Sequence, residues 1–167
     1  MGSVDQRRRA MGTDADRLTQ VREGFARSKF HRTFLGAHLE RVAPGEVDVS
    51  LQVETRHLNL AGTLHGGLIA TLADTATGLA LRTTLDAGTT SLTSSLSVTF
   101  LRPGHPGKVT AMGRVVKRGT RFGYAEADVE DGEGRLLART AATFTVMPEP
   151  PLDGPFAGPL PADPGDQ

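Results

Sequence analysis

The segment of this sequence most informative about its structure is His65-Gly66-Gly67-Leu68-Ile69-Ala70-Thr71-Leu72-Ala73-Asp74. Two adjacent glycines precede an apolar run, and this pattern predicts a helix from Gly66 to about Thr84, or roughly five turns. The start of a helix exposes backbone N–H donors and the positive end of the helix dipole. A single carboxylate, Asp74, interrupts the apolar run, and a charge in such a place needs a specific reason.

A backbone donor for an oxyanion and a lone acid that can act as base or nucleophile together indicate hydrolysis of an acyl group. Gly66 and Asp74 are separated by roughly 12 Å along one helix axis, so one carbonyl group cannot contact both within a subunit. A two-fold axis that sets two such helices antiparallel would bring Gly66 of one copy to Asp74 of the other. This interpretation predicts a homodimer. The alternative is a tight turn into a helix, with Asp74 on an exposed polar stripe.

The flanking sequence predicts an α+β layer, an antiparallel sheet with one long helix on its face. A short amphipathic helix is expected from Asp16 to about Lys29, and a half-buried strand follows through Val47–Val53. After Gly88 the pattern has period two and predicts four strands joined mostly by tight turns. In the first of these strands, alternation places one set of side chains on a single face, namely Leu92, Ser94, Leu96, Val98 and Phe100.

The chain divides into an expected flexible arm at residues 1–14, one domain at 15–147 and a disordered tail at 148–167, which holds seven of the ten prolines. Zero formal net charge disfavours a nucleic-acid partner. The absence of cysteine excludes disulfides and thiolate metal sites, and the five histidines lack ligand spacing, so no metal is expected. No apolar segment approaches the roughly 18 residues of a membrane span, and no signal peptide is evident, so a cytoplasmic location is expected.

The segment Asn59-Leu60-Ala61-Gly62-Thr63-Leu64-His65-Gly66-Gly67, with Asp74 eight residues after Gly66, resembles the hotdog-fold acyl-CoA thioesterases of the phenylacetate-degradation (PaaI-like) type. The resemblance covers about residues 25–147 and includes Phe34-Leu35-Gly36 and Val98-Thr99-Phe100-Leu101-Arg102-Pro103. It implies a sheet wrapped around a central helix, dimers joined edge to edge, and often a dimer of dimers. It also implies an acyl-CoA substrate, whose coenzyme A portion is the only cofactor involved.

The resemblance implies a role for each residue of the motif. Asp74 would be the catalytic carboxylate, acting either as general base on water or as nucleophile on the thioester carbon. The backbone N–H of Gly66 would polarise the thioester carbonyl. Asn59 would hold the carbonyl or the water, and His65 would shape the loop and hydrogen-bond near Asn59.

Thr93 falls where members of this family place a Ser or Thr that orients water, and Ser91 and Ser94 are the alternatives. The acyl pocket is expected between the helices of two subunits, lined by Leu68, Leu72 and residues near Phe34. Coenzyme A carries phosphates, which bind cations and backbone donors. The segments that line the coenzyme A path in the family correspond here to Arg102, Pro103, Lys117, Arg118, Gly119 and Arg121; an ordinary charged hairpin turn is the alternative.

Two other functions remain open on the same fold. A non-catalytic acyl-CoA-binding module would usually carry a DNA-binding domain, for which the roughly 25 residues before the core leave little room. A hydratase or dehydratase would use a His with an acid in a different arrangement. The α/β-hydrolase elbow Gly-x-Ser-x-Gly, the zinc motif His-Glu-x-x-His and the phosphate loop Gly-x-x-x-x-Gly-Lys are all absent from the sequence.

Overall fold

The computed structural model describes residues 13–149. The predicted arm, apart from its last two residues, and the predicted tail from Pro150 onward lie outside this part of the chain. In chain order the elements are α1 (Asp14–Arg27), β1 (Ala37–Ala43), β2 (Glu46–Val53), α2 (Gly66–Arg82), β3 (Thr89–Phe100), β4 (Gly107–Arg118), β5 (Phe122–Asp131) and β6 (Leu136–Pro148). A π-helical turn at Phe30–Phe34 and a 3-10 turn at Thr55–His57 complete the described structure.

The six strands form one sheet in the order β1-β2-β4-β5-β6-β3, and every neighbouring pair is antiparallel. Helix α2 packs on one face of this sheet, mainly against β4, β2 and β5. The predicted α+β architecture and the hotdog arrangement of a sheet around a central helix are therefore confirmed. None of the helices within residues 13–149 combines the length and the apolar character needed to cross a membrane.

The core lies between α2 and the sheet. Alternate residues of β2 are buried, from Val47 to Val53, and they pack with the sheet-facing side of α2, including Ile69, Leu72 and Ala76. This alternation is what the period-two pattern predicted for a half-buried strand. Burial of one face of a helix and one face of a sheet supplies most of the stability of such a layer.

Two glycines in the sheet allow α2 to approach closely. A Cβ at Gly113 of β4 would lie 2.5 Å from the backbone oxygen of Ala76, and a Cβ at Gly123 of β5 would lie 2.5 Å from Leu81 Cδ2. Real Cβ atoms do not make contacts this short, so a side chain at Gly113 would push the helix backbone off the sheet, and one at Gly123 would displace the buried Leu81 side chain. The helix is thus held in one position along the strands.

Helix α1 begins at Asp14, two residues before the predicted start, because Thr13 caps it. The Thr13 hydroxyl accepts from the Asp16 N–H, and the Asp16 carboxylate accepts from the Thr13 N–H at 2.8 Å. This reciprocal capping box satisfies donors that the helix itself leaves unpaired. Val21 and Phe25 bury the inner face of α1, and the chain then enters the π-helical turn beside α2.

Candidate active site

Asp74 lies near the middle of α2, between residues that are buried against the sheet. Its side chain is half-buried, and Oδ1 accepts a hydrogen bond from Thr93 Oγ1 at 2.9 Å. It also lines a cavity of about 520 Å³ between α2, β3 and the π-helical turn. A half-buried, hydrogen-bonded carboxylate facing a cavity differs from a charge on an exposed polar stripe, the alternative considered for this position.

A β-bulge at Ser94 directs Thr93 toward Asp74. Thr93 pairs with Phe144 of β6, and the next paired residue, Ser95, is opposite Thr143, so Ser94 is the extra residue. An extra residue reverses the alternation of side chains along a strand. The prediction that Leu92 lies on the same face of β3 as Leu96 and Val98 is therefore wrong. Leu92 precedes the bulge, and its side chain is 60% exposed.

The bulge also separates the three residues considered for the water-orienting role. Thr93 hydrogen-bonds the carboxylate, whereas the Ser94 hydroxyl bonds Thr145 Oγ1 at 2.7 Å. Ser91 lines the same cavity as Asp74. Of these three hydroxyls, the one recorded in contact with Asp74 is that of Thr93.

The rest of the cavity wall is largely apolar. Side chains from α2, β3, β6 and the π-helical turn contribute, including Phe30, His31, Leu79, Leu96 and Phe144. The expectation that Leu72 lines the acyl pocket is wrong, because this side chain is 1% exposed and belongs to the core under the helix. Residues three or four apart share a helix face, and the face that Asp74 shares with Gly78 is the one that meets the cavity.

His31 is a cavity residue that the sequence did not indicate. Its ring stacks on Phe25, with centroids 5.3 Å apart, and Nδ1 lies 2.7 Å from the Ser28 hydroxyl. Burial lowers the pKa of His31, and the charge of Asp74 partly opposes that shift. The signal that could have revealed it is the sequence Phe30-His31 directly after an amphipathic helix, but the π-helical turn that aims the ring has no recognised sequence signature.

The start of α2 presents a free backbone amide. His65 is the N-cap, and its Nδ1 accepts from the Gly67 N–H at 2.9 Å, which leaves the ring hydrogen of the neutral form on Nε2. The N–H groups of Leu68 and Ile69 bond to the His65 carbonyl. Within residues 13–149 the Gly66 N–H has no acceptor, so this donor remains available to an oxyanion at the positive end of the helix dipole.

Asn59 organises the loop that leads to His65. Its Oδ1 accepts from the Ala61 and Thr63 N–H groups, and its Nδ2 donates to Thr63 Oγ1 at 2.9 Å. These bonds hold a compact turn, and one Nδ2 hydrogen remains for another acceptor. Within residues 13–149 the His65 ring thus hydrogen-bonds Gly67, and the Asn59 side chain hydrogen-bonds residues of its own loop.

The two halves of the predicted site line different cavities. Gly66 and Asn59 line one cavity with Arg102 and Pro103, and Asn59 and His65 line another, whereas Asp74 and Thr93 line the cavity described above. The separation agrees with the roughly 12 Å between Gly66 and Asp74 along the axis of α2. A single protomer therefore holds an amide half-site and a carboxylate half-site that do not meet.

The predicted coenzyme A-binding residues form two groups. Arg102, whose guanidinium donates to the Leu136 carbonyl at 2.9 Å, and Pro103 border the amide half-site. Lys117 near the end of β4, and Gly119 and Arg121 of the β4–β5 turn, line a separate cavity. Arg118, the last residue of β4, is ion-paired with Asp86, just beyond the end of α2.

The Lys117 and Arg121 side chains are exposed, and no ion pair is recorded for them among the described residues. They are thus accessible to an anionic group, whereas the charge of Arg118 is already balanced.

The described residues also include no cluster of three His, Cys, Asp or Glu side chains that could hold a metal ion.

Comparison with known proteins shows which family this chain belongs to. Residues 61–138 match the Thioesterase superfamily model. Human acyl-coenzyme A thioesterase 13 is 32% identical over 112 residues, which cover 66% of this chain and 79% of the relative. A thioesterase family protein from Silicibacter pomeroyi has 27% identity and a TM-score of 0.74, covering 81% of this chain and 99% of that one.

The E. coli PaaI protein, from the phenylacetic acid degradation operon, is similar in fold, with a TM-score of 0.74 at 22% identity over 82% of this chain and 98% of that one. The matched segment includes His65, Gly66 and Asp74, three of the residues on which the resemblance depended, and begins two residues after Asn59. On the sequence match, the structural similarity and the shared fold, the chain belongs to the thioesterase superfamily.

Proposed function

We propose that this protein hydrolyses acyl-CoA thioesters to a carboxylic acid and coenzyme A. The observation that carries the proposal is the pair of half-sites: a half-buried Asp74 bonded to Thr93 in one cavity, and a free Gly66 amide at a helix start in another. These are the acid and the oxyanion donor that acyl transfer requires. Membership of the thioesterase superfamily and the acyl-coenzyme A thioesterase among the relatives support the same chemistry.

A homodimer would assemble each site from two chains. Strand β3 has 12 residues and stands at the end of the sheet, and no strand within residues 13–149 pairs with its outer edge. A long unpaired edge is a template for pairing with a second copy. If two copies join there with their helices antiparallel and Gly66 opposite the partner's Asp74, the two-fold axis passes near Ala70, midway between these residues. Small residues at this crossing, Gly67 and Ala70, would let the helices approach closely.

The same arrangement brings the two cationic groups nearer to each other. Arg118 is tied to Asp86, four residues beyond the end of α2. That end of the helix, at Arg82, lies about 24 Å along the axis from Gly66 of its own chain and about 12 Å from Gly66 of an antiparallel partner. Lys117 and Arg121 would therefore serve the partner's amide half-site together with Arg102. In this proposal Arg118 fixes the turn, while Lys117 and Arg121 bind the phosphates of coenzyme A.

In the general-base route, a water oxygen attacks the thioester carbon while its proton passes to Asp74. The carbonyl oxygen becomes an oxyanion that accepts from the partner's Gly66 N–H, and the C–S bond then breaks. Coenzyme A leaves as a thiolate that takes up a proton. In the nucleophilic route Asp74 attacks the carbon itself, the C–S bond breaks to release coenzyme A as a thiolate that takes up a proton, and a mixed anhydride remains. Water then hydrolyses this anhydride, which releases the carboxylic acid and restores the Asp74 carboxylate. Both routes need the same two half-sites.

A further interface would make a dimer of dimers. Three large side chains are exposed on β4 and β5, namely Val116 at 50%, Phe122 at 60% and Tyr124 at 36%. Such a patch on the sheet supports association with another dimer. The similarity in fold to E. coli PaaI supports assignment to the PaaI-like type.

The test is release of free coenzyme A from a panel of acyl-CoA esters, detected with a thiol reagent. The proposal expects catalytic turnover for at least one acyl group, with loss of turnover in Asp74→Asn. Binding of acyl-CoA without release of thiol would instead indicate a binding module. Consumption of an enoyl-CoA without release of thiol would indicate a hydratase. Either result would contradict the proposal.

A further inference from the structure

Gly78 lies in the interior of α2, one turn after Asp74, where glycine is unfavourable. A glycine within a helix destabilises it relative to alanine, because glycine loses more backbone freedom on folding. Gly113 and Gly123 have a packing reason, since a Cβ on either would lie 2.5 Å from the helix. At Gly78 the nearest atom to a Cβ would be Phe144 Cε1 at 3.5 Å, which is an ordinary van der Waals contact.

Packing therefore does not require glycine at position 78, and the backbone does not require it either, because its φ is not positive. What glycine provides here is empty volume in the cavity that contains Asp74. The positions four residues apart, Asp74 and Gly78, share one helix face. An apolar group that starts at the carboxylate and runs along α2 toward the C-terminal end of the helix passes over Gly78.

We propose that Gly78 is the specificity-determining residue of the acyl pocket, an inference that rests on the proposed function. The thioester carbon lies beside Asp74, and the rest of the acyl group lies over Gly78, between Phe144 and the ring of Phe30. One helical turn is about 5.4 Å long, so an acetyl group ends before Gly78 and a longer apolar acyl group reaches it. The pocket thus selects acyl groups that extend several carbons beyond the carbonyl.

The experiment compares kcat/KM for acetyl-CoA and for phenylacetyl-CoA or hexanoyl-CoA in the wild type, Gly78→Ala and Gly78→Leu. One extra methylene in an apolar pocket changes discrimination about 10- to 200-fold. The ratio of kcat/KM for the longer substrate to kcat/KM for acetyl-CoA should fall about tenfold in Gly78→Ala and further in Gly78→Leu. Gly24→Ala is the matched control, because Gly24 is also helical and a Cβ there meets nothing within 4 Å. It should leave the ratio at the wild-type value.

An unchanged ratio in Gly78→Leu would overturn the inference, and so would a Gly78→Ala protein with a Tm below wild type, since that would reveal a structural need for glycine. The wild-type rates test the proposed function separately. Calorimetric Kd values for the same acyl-CoA esters and for coenzyme A, measured in an Asp74→Asn background, test the inference even where nothing is hydrolysed. A preference for the longer acyl group should be lost when Gly78→Leu is added.

Discussion

Replacing Gly66 by proline removes the proposed oxyanion donor with little other change. Gly66 is the first residue of α2, where proline is well tolerated because that N–H has no helical partner. The preceding residue, His65, has φ −62° and ψ 126°, an extended conformation that a following proline permits. Helix α2 should therefore form normally in Gly66→Pro.

The expected loss follows from the donor that disappears. Removal of one oxyanion-hole donor costs about 2.7–4 kcal/mol of transition-state stabilisation, or roughly 10²–10³ in kcat. Gly66→Ala is the matched control, because it keeps the N–H but adds the same Cβ, which would lie 3.2 Å from Phe100 Cε1. Phe100 is 54% exposed and can shift its ring, so the alanine variant should lose far less kcat than the proline variant.

The assay is release of coenzyme A under saturating acyl-CoA, with circular dichroism and Tm as controls for folding. If Gly66→Pro and Gly66→Ala lose the same amount of kcat, crowding against Phe100 explains the loss and the amide is not the donor. If Gly66→Pro folds and turns over at the wild-type rate, the oxyanion assignment is wrong.

Four further perturbations address the remaining parts of the account. Asp74→Asn should lower kcat about 10²- to 10⁴-fold, the scale of a lost general base, and near wild-type turnover in a folded protein would remove the catalytic assignment. Thr93→Val, which loses the 2.9 Å hydrogen bond to Asp74, should lower kcat about 10- to 100-fold. Thr93→Ser keeps a hydroxyl and should retain most of the wild-type kcat. If it does not, the hydrogen bond is not the reason for the loss in Thr93→Val. Arg121→Gln should raise KM for acyl-CoA about two- to fivefold, as expected for an exposed ionic contact, whereas Arg118→Gln should mainly lower Tm. Equal KM values for the wild type and Arg121→Gln would show that Arg121 does not bind the substrate. Burial lowers the pKa of His57 below its usual 6.5, so the unfolded chain binds more protons than the folded one, and the free energy of unfolding should fall as pH drops below about 6.5 toward the lowered pKa. Denaturant unfolding at several pH values should show a smaller decrease of this free energy in His57→Asn than in the wild type. The same dependence on pH in both proteins would contradict this expectation.

The features predicted correctly from the sequence depend on local patterns. The glycine pair after His65 and the apolar run that follows are enough to start α2 at Gly66, and alternation in β2 is enough to orient that strand. The antiparallel pairing of β4 with β5 and of β5 with β6 follows from their short connections, whereas β3, which is also close to β4 in sequence, pairs with β6 instead. These features require only neighbours in sequence, so a single chain contains the information to predict them.

The features that the sequence did not reveal depend on contacts between distant residues. The bulge at Ser94 arises because β3 has one more residue than the segment of β6 with which it pairs. Strict alternation along β3, which ignores this extra residue, assigns Leu92 to the wrong face of the strand. His31 reaches the cavity through a π-helical turn, and Arg118 is paired with Asp86, 32 residues earlier. Each of these depends on how two elements meet, which local propensity does not encode.

Each active site of the proposed dimer is built from two chains, and complementation between two inactive variants is the experiment that distinguishes this arrangement from a site within one chain. Asp74→Asn and Gly66→Pro carry different tags, are mixed under conditions that exchange subunits, and the hybrid dimer is purified through both tags. Each hybrid should contain one intact site, formed by Asp74 of the Gly66→Pro chain and Gly66 of the Asp74→Asn chain, and should recover about half of wild-type kcat per dimer. Hybrids that remain as inactive as the two parent variants would contradict the account, because they would show that Asp74 and Gly66 must act within the same chain.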